Sequence, residues 1–179
     1  KSFSQDHITL RVDANGAFSP LDAMEKLKAL ADLDLHSIEQ PIAAGQFKAM
    51  SDLCKKTPIP IALDEELIGV IEKKERALLL DTIRPQYLIL KPSLLGGFES
   101  CQEWILLAEE RSIGWWVTSA LESNIGLNAI AQWTFSMGIK SHQGLGTGSL
   151  FTNNFISPLE VSNGYLTFNS KQNWDNSLL

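Results

Sequence analysis

The sequence predicts an α/β protein with a parallel sheet, built as a TIM-like (β/α) barrel. Three observations predict it. Strand-like and helix-like stretches alternate with no antiparallel hairpin until the last twenty or so residues, which implies parallel strands joined by helical crossovers. Each strand-like stretch ends in a polar residue, and from Asp13 to Glu39, Asp64, Lys91 and Thr118 the interval holds at roughly 25–27 residues, about one βα unit. An open doubly wound sheet would fit the same alternation, but no glycine-rich dinucleotide fingerprint or P-loop follows any strand. The barrel is therefore the leading architecture.

Taken in order, Ile8-Thr9-Leu10-Arg11-Val12 alternates and is β-branched, so it reads as a strand running into the turn Asp13-Ala14-Asn15-Gly16. Ser19-Pro20 predicts a helix start, with the hydroxyl as cap, and Ala23, Leu27, Leu30 and Ala31 share one face. His36-Ser37-Ile38 is a short strand ending at Glu39-Gln40-Pro41. Residues 45–56 read as a helix, with Phe47, Met50, Leu53 and Cys54 at helical spacing. Residues 59–63 form the next strand, ending at Asp64-Glu65-Glu66, and residues 70–80 the next helix. The run Leu88-Ile89-Leu90 is apolar throughout, as a strand buried on both faces must be, and delivers Lys91 to its end before Pro92 stops it. Gly96-Gly97 opens a helix carrying Trp104, Ile105 and Ala108. Trp115-Trp116-Val117 is a strand with one ring on each side, ending at Thr118-Ser119. A helix over 124–137 and a weak strand around Ser141-His142 follow. Asn163-Gly164 between Leu159–Ser162 and Tyr165–Phe168 is a two-residue hairpin signal, and residues 171–179 read as loosely held.

Composition excludes several function classes. The chain has 179 residues, 44% hydrophobic and 20% charged, with a net charge of −6. That acidity leaves no basic patch for nucleic acid. No apolar run reaches the roughly 18 residues a membrane span needs, and the first residues carry no signal-like segment. Cys54 and Cys101 fit no metal or redox spacing, so reduced thiols in a cytoplasmic protein are expected.

Three successive units deliver Asp13, Glu39 and Asp64 to one rim of the sheet. Carboxylates crowded together repel, and a divalent cation relieves that repulsion. An all-oxygen donor set without histidine or cysteine suits Mg²⁺ or Mn²⁺ rather than zinc. Glu65 and Glu66 leave the third ligand open by one residue, and the strand-end position favours Asp64. Lys91, one strand on, could stabilise an enediolate or move a proton. The alternative for each acid is a helix cap or a solvated strand end, and for Lys91 a snorkelling cation.

Asp13-Ala14-Asn15-Gly16, Ile38-Glu39-Gln40-Pro41, Leu63-Asp64-Glu65 and Leu90-Lys91-Pro92 resemble, in order and spacing, the enolase superfamily, and within it the o-succinylbenzoate synthases of menaquinone biosynthesis. The likeness extends to residues 118–126 and 144–148. It implies a (β/α)₇β barrel present from about its third strand onward over residues 1–157, with residues 158–179 a hairpin and tail. It implies Mg²⁺ (or Mn²⁺) held by Asp13, Glu39 and Asp64, and Lys91 as the electrostatic partner of the enediolate. The reaction implied removes a proton α to the carboxylate of a small-molecule substrate and expels hydroxide. Ser119 and Ser123 are expected near that substrate's carboxylate, and the glycines from Gly144 could offer N–H groups to an anion. Thr118-Ser119 stands where mandelate-racemase-like members carry histidine, and residues 141–144 lack the Asp-x-Asp of dipeptide epimerases. An N-acylamino acid racemase shares the remaining residues, and a non-catalytic barrel piece is the reading from another class. The family's Lys-x-Lys base and capping domain are expected upstream, so this chain alone is expected to be inactive. The residues do not indicate an oligomeric state.

Overall fold

The computed structural model describes residues 8–175. Five short strands, β1 (Arg11–Asp13), β2 (Ser37–Glu39), β3 (Ile61–Leu63), β4 (Tyr87–Leu90) and β5 (Gly114–Val117), form one sheet in the order β1-β2-β3-β4-β5. Their pairing is parallel, with Asp13 opposite Glu39, Glu39 opposite Ala62 and Leu63 opposite Leu88. The helices between them are α1 (Ala23–Ala31), α2 (Phe47–Lys56), α3 (Lys73–Ile83) and α4 (Phe98–Glu109), and α5 (Asn124–Ser136) follows β5. Sequential strands lying side by side with one helix per crossover is the arrangement the alternation predicts.

The described residues divide into two compact units, 8–89 with 102–115, and 90–101 with 116–175. In the first, Ile38, Ile61, Leu63 and Leu88 on the strands and Leu27, Met50, Leu80 and Trp104 on the helices are almost wholly buried. β3 is buried at every position, as a strand covered on both faces should be. The second unit holds the hairpin of β6 (Leu159–Ser162) and β7 (Tyr165–Phe168), antiparallel around Asn163-Gly164, both at positive φ.

Several boundaries differ from expectation. Helix α1 begins at Ala23, four residues after Ser19. The Ser19 hydroxyl donates to Asp22 Oδ1, and the Ser19 carbonyl accepts the N–H groups of Asp22 and Ala23, so Ser19-Pro20 makes a lead-in turn. Helix α3 spans Lys73–Ile83 because Glu65–Leu67 forms a 3₁₀ turn and Gly69, at φ 82°, redirects the chain before Lys73. The weak strand at Ser141-His142 is absent. Pairing there reduces to one parallel bridge, Thr118 to Gly144, with the Gln143 amide oxygen accepting the Val117 N–H at 2.7 Å. Of the two tryptophans of β5, Trp116 is buried and Trp115 half-buried. Residues 176–179 of the expected loose tail lie outside the described residues.

Candidate active site

Parallel pairing puts the C-terminal ends of β1, β2 and β3 on one edge of the sheet, and each ends at a predicted carboxylate. Asp13 and Glu39 are register partners. Asp64 lies two residues beyond Ala62, the partner of Glu39, and is 3% exposed. Glu39 is half-buried and Asp13 exposed. The Asp13 carboxylate turns into its own loop: Oδ1 accepts the Asn15 N–H at 2.8 Å and Oδ2 accepts the Asn15 side-chain amide at 2.7 Å. Asn15 sits at φ 45°, which its short polar side chain tolerates. Among the described residues, no group of three or more His, Cys, Asp or Glu side chains is placed to hold a metal ion. The donor chemistry fits a hard cation and the strand ends are adjacent; each Asp13 oxygen accepts one Asn15 bond and keeps a second lone pair for a cation.

The loops behind these acids are fastened together. Glu66 is 3% exposed, and its Oε1 accepts the Gly45 N–H at 2.7 Å while its Oε2 accepts the Gln40 side-chain amide at 3.1 Å. Both Glu66 carboxylate oxygens thus serve to hold the loops at Gly45 and Gln40. Gln40 is fully buried and at φ 36°. Neither residue stood out in the sequence beyond its place in the motifs, although a glutamine and a glutamate flanking strand-end acids are the residue types a buried polar link requires.

In the second unit, Lys91 is the half-buried residue directly after β4, and its carbonyl accepts the N–H groups of Leu94 and Leu95. Two residues on, the Ser93 hydroxyl donates to Glu122 Oε1 at 2.7 Å, and that oxygen also accepts the Ala120 N–H at 2.9 Å. One carboxylate thus ties the Lys91 loop to the loop after β5. Ser119 is 2% exposed; its hydroxyl meets Thr147 Oγ1 at 2.5 Å and its N–H reaches the Gly144 carbonyl at 3.0 Å. The Gly144 N–H goes to the Val117 carbonyl at 2.8 Å, so both its backbone groups are engaged in pairing. A Cβ there would lie 2.5 Å from Thr118 Oγ1, which explains the glycine by packing. Ser123 is the exposed N-cap of α5, and its side chain makes no capping bond. The structure thus brings Ser119 and Gly144 together, and Ser123 stands at the start of α5.

Comparison with known proteins adds relatives to this geometry. A family model described as enolase C-terminal domain-like matches residues 1–172. The chain is 58% identical over 166 residues to an o-succinylbenzoate synthase of Desulfotalea psychrophila, covering 93% of this chain and 45% of that protein. It is 37% identical over 118 residues to an N-succinylamino acid racemase of Thermus thermophilus, covering 66% of this chain and 31% of that one. Among solved structures, MenC from Desulfotalea psychrophila superposes with a TM-score of 0.89 at 58% identity, covering 92% of this chain and 46% of the other. A muconate cycloisomerase variant superposes with a TM-score of 0.78 at 25% identity, covering 90% and 45%. The chain spans less than half the length of these relatives.

Proposed function

The chain belongs to the enolase superfamily, and from that premise we propose that it carries the metal-binding strand ends and one catalytic lysine of an o-succinylbenzoate synthase-type dehydratase. The observation that carries this reading is a row of three carboxylates at the C-terminal ends of three adjacent parallel strands, in a chain 58% identical to a protein of that name. Asp13, Glu39 and Asp64 would hold Mg²⁺, with Mn²⁺ as a substitute. The bound ion would supply Lewis-acid stabilisation to the substrate carboxylate as its α-carbon loses a proton. Lys91 contributes a fixed positive charge to the enediolate, and hydroxide then leaves to give the aromatic product. The proton-abstracting base is not assigned to any residue of this chain. Ser119, Ser123 and Gly144 serve the substrate side of the site indirectly: the first and last by fixing the backbone after β5, Ser123 by starting α5. The substrate is a small succinyl-bearing cyclohexadiene carboxylate. Menaquinone biosynthesis is the setting, a reading that the relative's name supports.

A titration of the chain with Mn²⁺, followed by electron paramagnetic resonance, tests the metal reading. Asp13→Ala, Glu39→Gln and Asp64→Asn should each weaken binding by about tenfold or more, roughly 1.4 kcal/mol or greater. Lys91→Ala should not weaken it, yet should abolish turnover in a polypeptide of the relatives' length that carries residues 1–179. Unchanged Mn²⁺ affinity in all three acid variants would sink the reading. A second reading, racemisation of an N-succinylamino acid, draws support from the Thermus relative. Offering both substrates to the longer polypeptide decides between dehydration and loss of optical activity.

A further inference from the structure

We infer that Gln40 is a positioning residue for all three carboxylates, its backbone carbonyl holding the Asp13 loop while its side-chain amide holds the loop that carries Asp64. The inference rests on the reading of those acids as metal ligands and names the group that sets their spacing. Gln40 directly follows Glu39. Its backbone N–H donates to the Ala62 carbonyl at 2.9 Å, and its backbone carbonyl accepts the Gly16 N–H of the Asp13 loop at 2.7 Å. Its side-chain oxygen accepts the N–H groups of Asp64 at 3.2 Å and Glu66 at 3.4 Å. Its side-chain nitrogen donates to the Ile42 carbonyl and to Glu66 Oε2, both at 3.1 Å. Glu66 passes the link onward to the Gly45 N–H.

Only an amide can do this. The oxygen faces two donors and the nitrogen two acceptors, so a glutamate at 40 would oppose Glu66 and an apolar residue would leave these four groups without their Gln40 partner. The residue is fully buried, and φ 36° is a conformation that a non-glycine residue adopts at a cost, kept here by bonds on every side. Gly16 completes the fit. At φ 70°, a Cβ on it would lie 2.9 Å from Ala43 Cα, so the Asp13 loop can approach the Gln40 carbonyl only with glycine there. Groups one shell behind metal ligands govern their spacing and hence their affinity.

The test compares Gln40→Met with the paired exchange Gln40→Glu plus Glu66→Gln, both in the 179-residue chain. The exchange keeps the net charge and reproduces every bond except the one to the Ile42 carbonyl, which then faces a carboxylate oxygen in place of a donor. Two readouts are taken under conditions where circular dichroism reports folded protein: Mn²⁺ affinity, and amide hydrogen exchange at Gly16, Gly45 and Asp64. Gln40→Met should lower Mn²⁺ affinity by about tenfold or more and speed exchange at Asp64 and Gly45 together, with Gly16, bonded to the backbone carbonyl that the variant keeps, changing less. The paired exchange should restore most of both. A folded Gln40→Met chain with parental affinity and parental exchange overturns the inference. If Gln40→Met does not fold, a paired exchange that folds but binds Mn²⁺ about tenfold more weakly than the parent also overturns it. A parent that binds no Mn²⁺ overturns the metal reading instead, and the exchange rates still decide whether Gln40 locks the loops.

Discussion

Cys54 illustrates how far surroundings move a single residue. It lies in α2, 6% exposed, and burial pushes its thiol from an ordinary 9.0 up to about 12. The unfolded chain releases that proton near 9 and the folded one near 12, so the fold is favoured below pH 9 and loses stability as pH rises between those values. The loss should be on the order of 1 kcal/mol per pH unit. Urea midpoints of the parent and Cys54→Ala, measured from pH 8 to pH 11, should converge as pH rises, because only the parent carries this term. The same protonation makes Cys54 inert to thiol reagents at neutral pH. Asp13 and Glu39 could be picked out as strand-end acids from spacing alone. That Asp13 turns onto Asn15 could not, because spacing carries no record of a turn's internal hydrogen bonding.

At the scale of the element, α3 and α4 are joined by an ion pair that hydrophobic patterning gives no reason to expect. Arg76, on α3, has a side chain 5% exposed; it donates to Glu103 Oε2 at 2.7 Å and to the Val70 carbonyl at 3.0 Å. Its guanidinium also lies over the Trp104 ring, 5.3 Å from the centroid. Glu103 is 43% exposed, so solvent screens part of the attraction. Removing it still leaves a buried cation with fewer partners. Glu103→Ala should cost about 1–2 kcal/mol in urea unfolding, with Glu103→Gln losing less because one hydrogen bond survives. Element ends were the least legible feature. Ser19-Pro20 has a helix-start composition, yet its bonds close a turn one step early. The 70–80 stretch is periodic, but Gly69 and the 3₁₀ turn before it delay α3 to Lys73. Both boundaries depend on competing local hydrogen bonds rather than on which face is apolar.

Across the molecule, the buried apolar residues of the five strands and their helices supply the main stabilisation. Leu80 on α3 is fully buried, and Leu80→Ala should cost about 2–5 kcal/mol. Leu78, two residues away but 67% exposed, should change by less than about 0.5 kcal/mol when truncated. Equal urea midpoints for the two variants would contradict the assignment of the buried face of α3. The acidic balance, a net charge of −6, leaves the core untouched and bears on solubility and partner choice.

By itself the sequence determined the order of elements, their parallel pairing and the strand ends that bear Asp13, Glu39, Asp64 and Lys91. Those follow from period, run length and spacing, which are local properties of the chain. Only the tertiary structure decided that Gln40 and Glu66 link the loops behind the acids, that Gly144 is committed to pairing with Thr118, and that Ser119 is enclosed against Thr147. These depend on which polar groups meet after burial, and a hydrogen bond between residues 21–28 positions apart leaves no periodic trace in the chain that makes it.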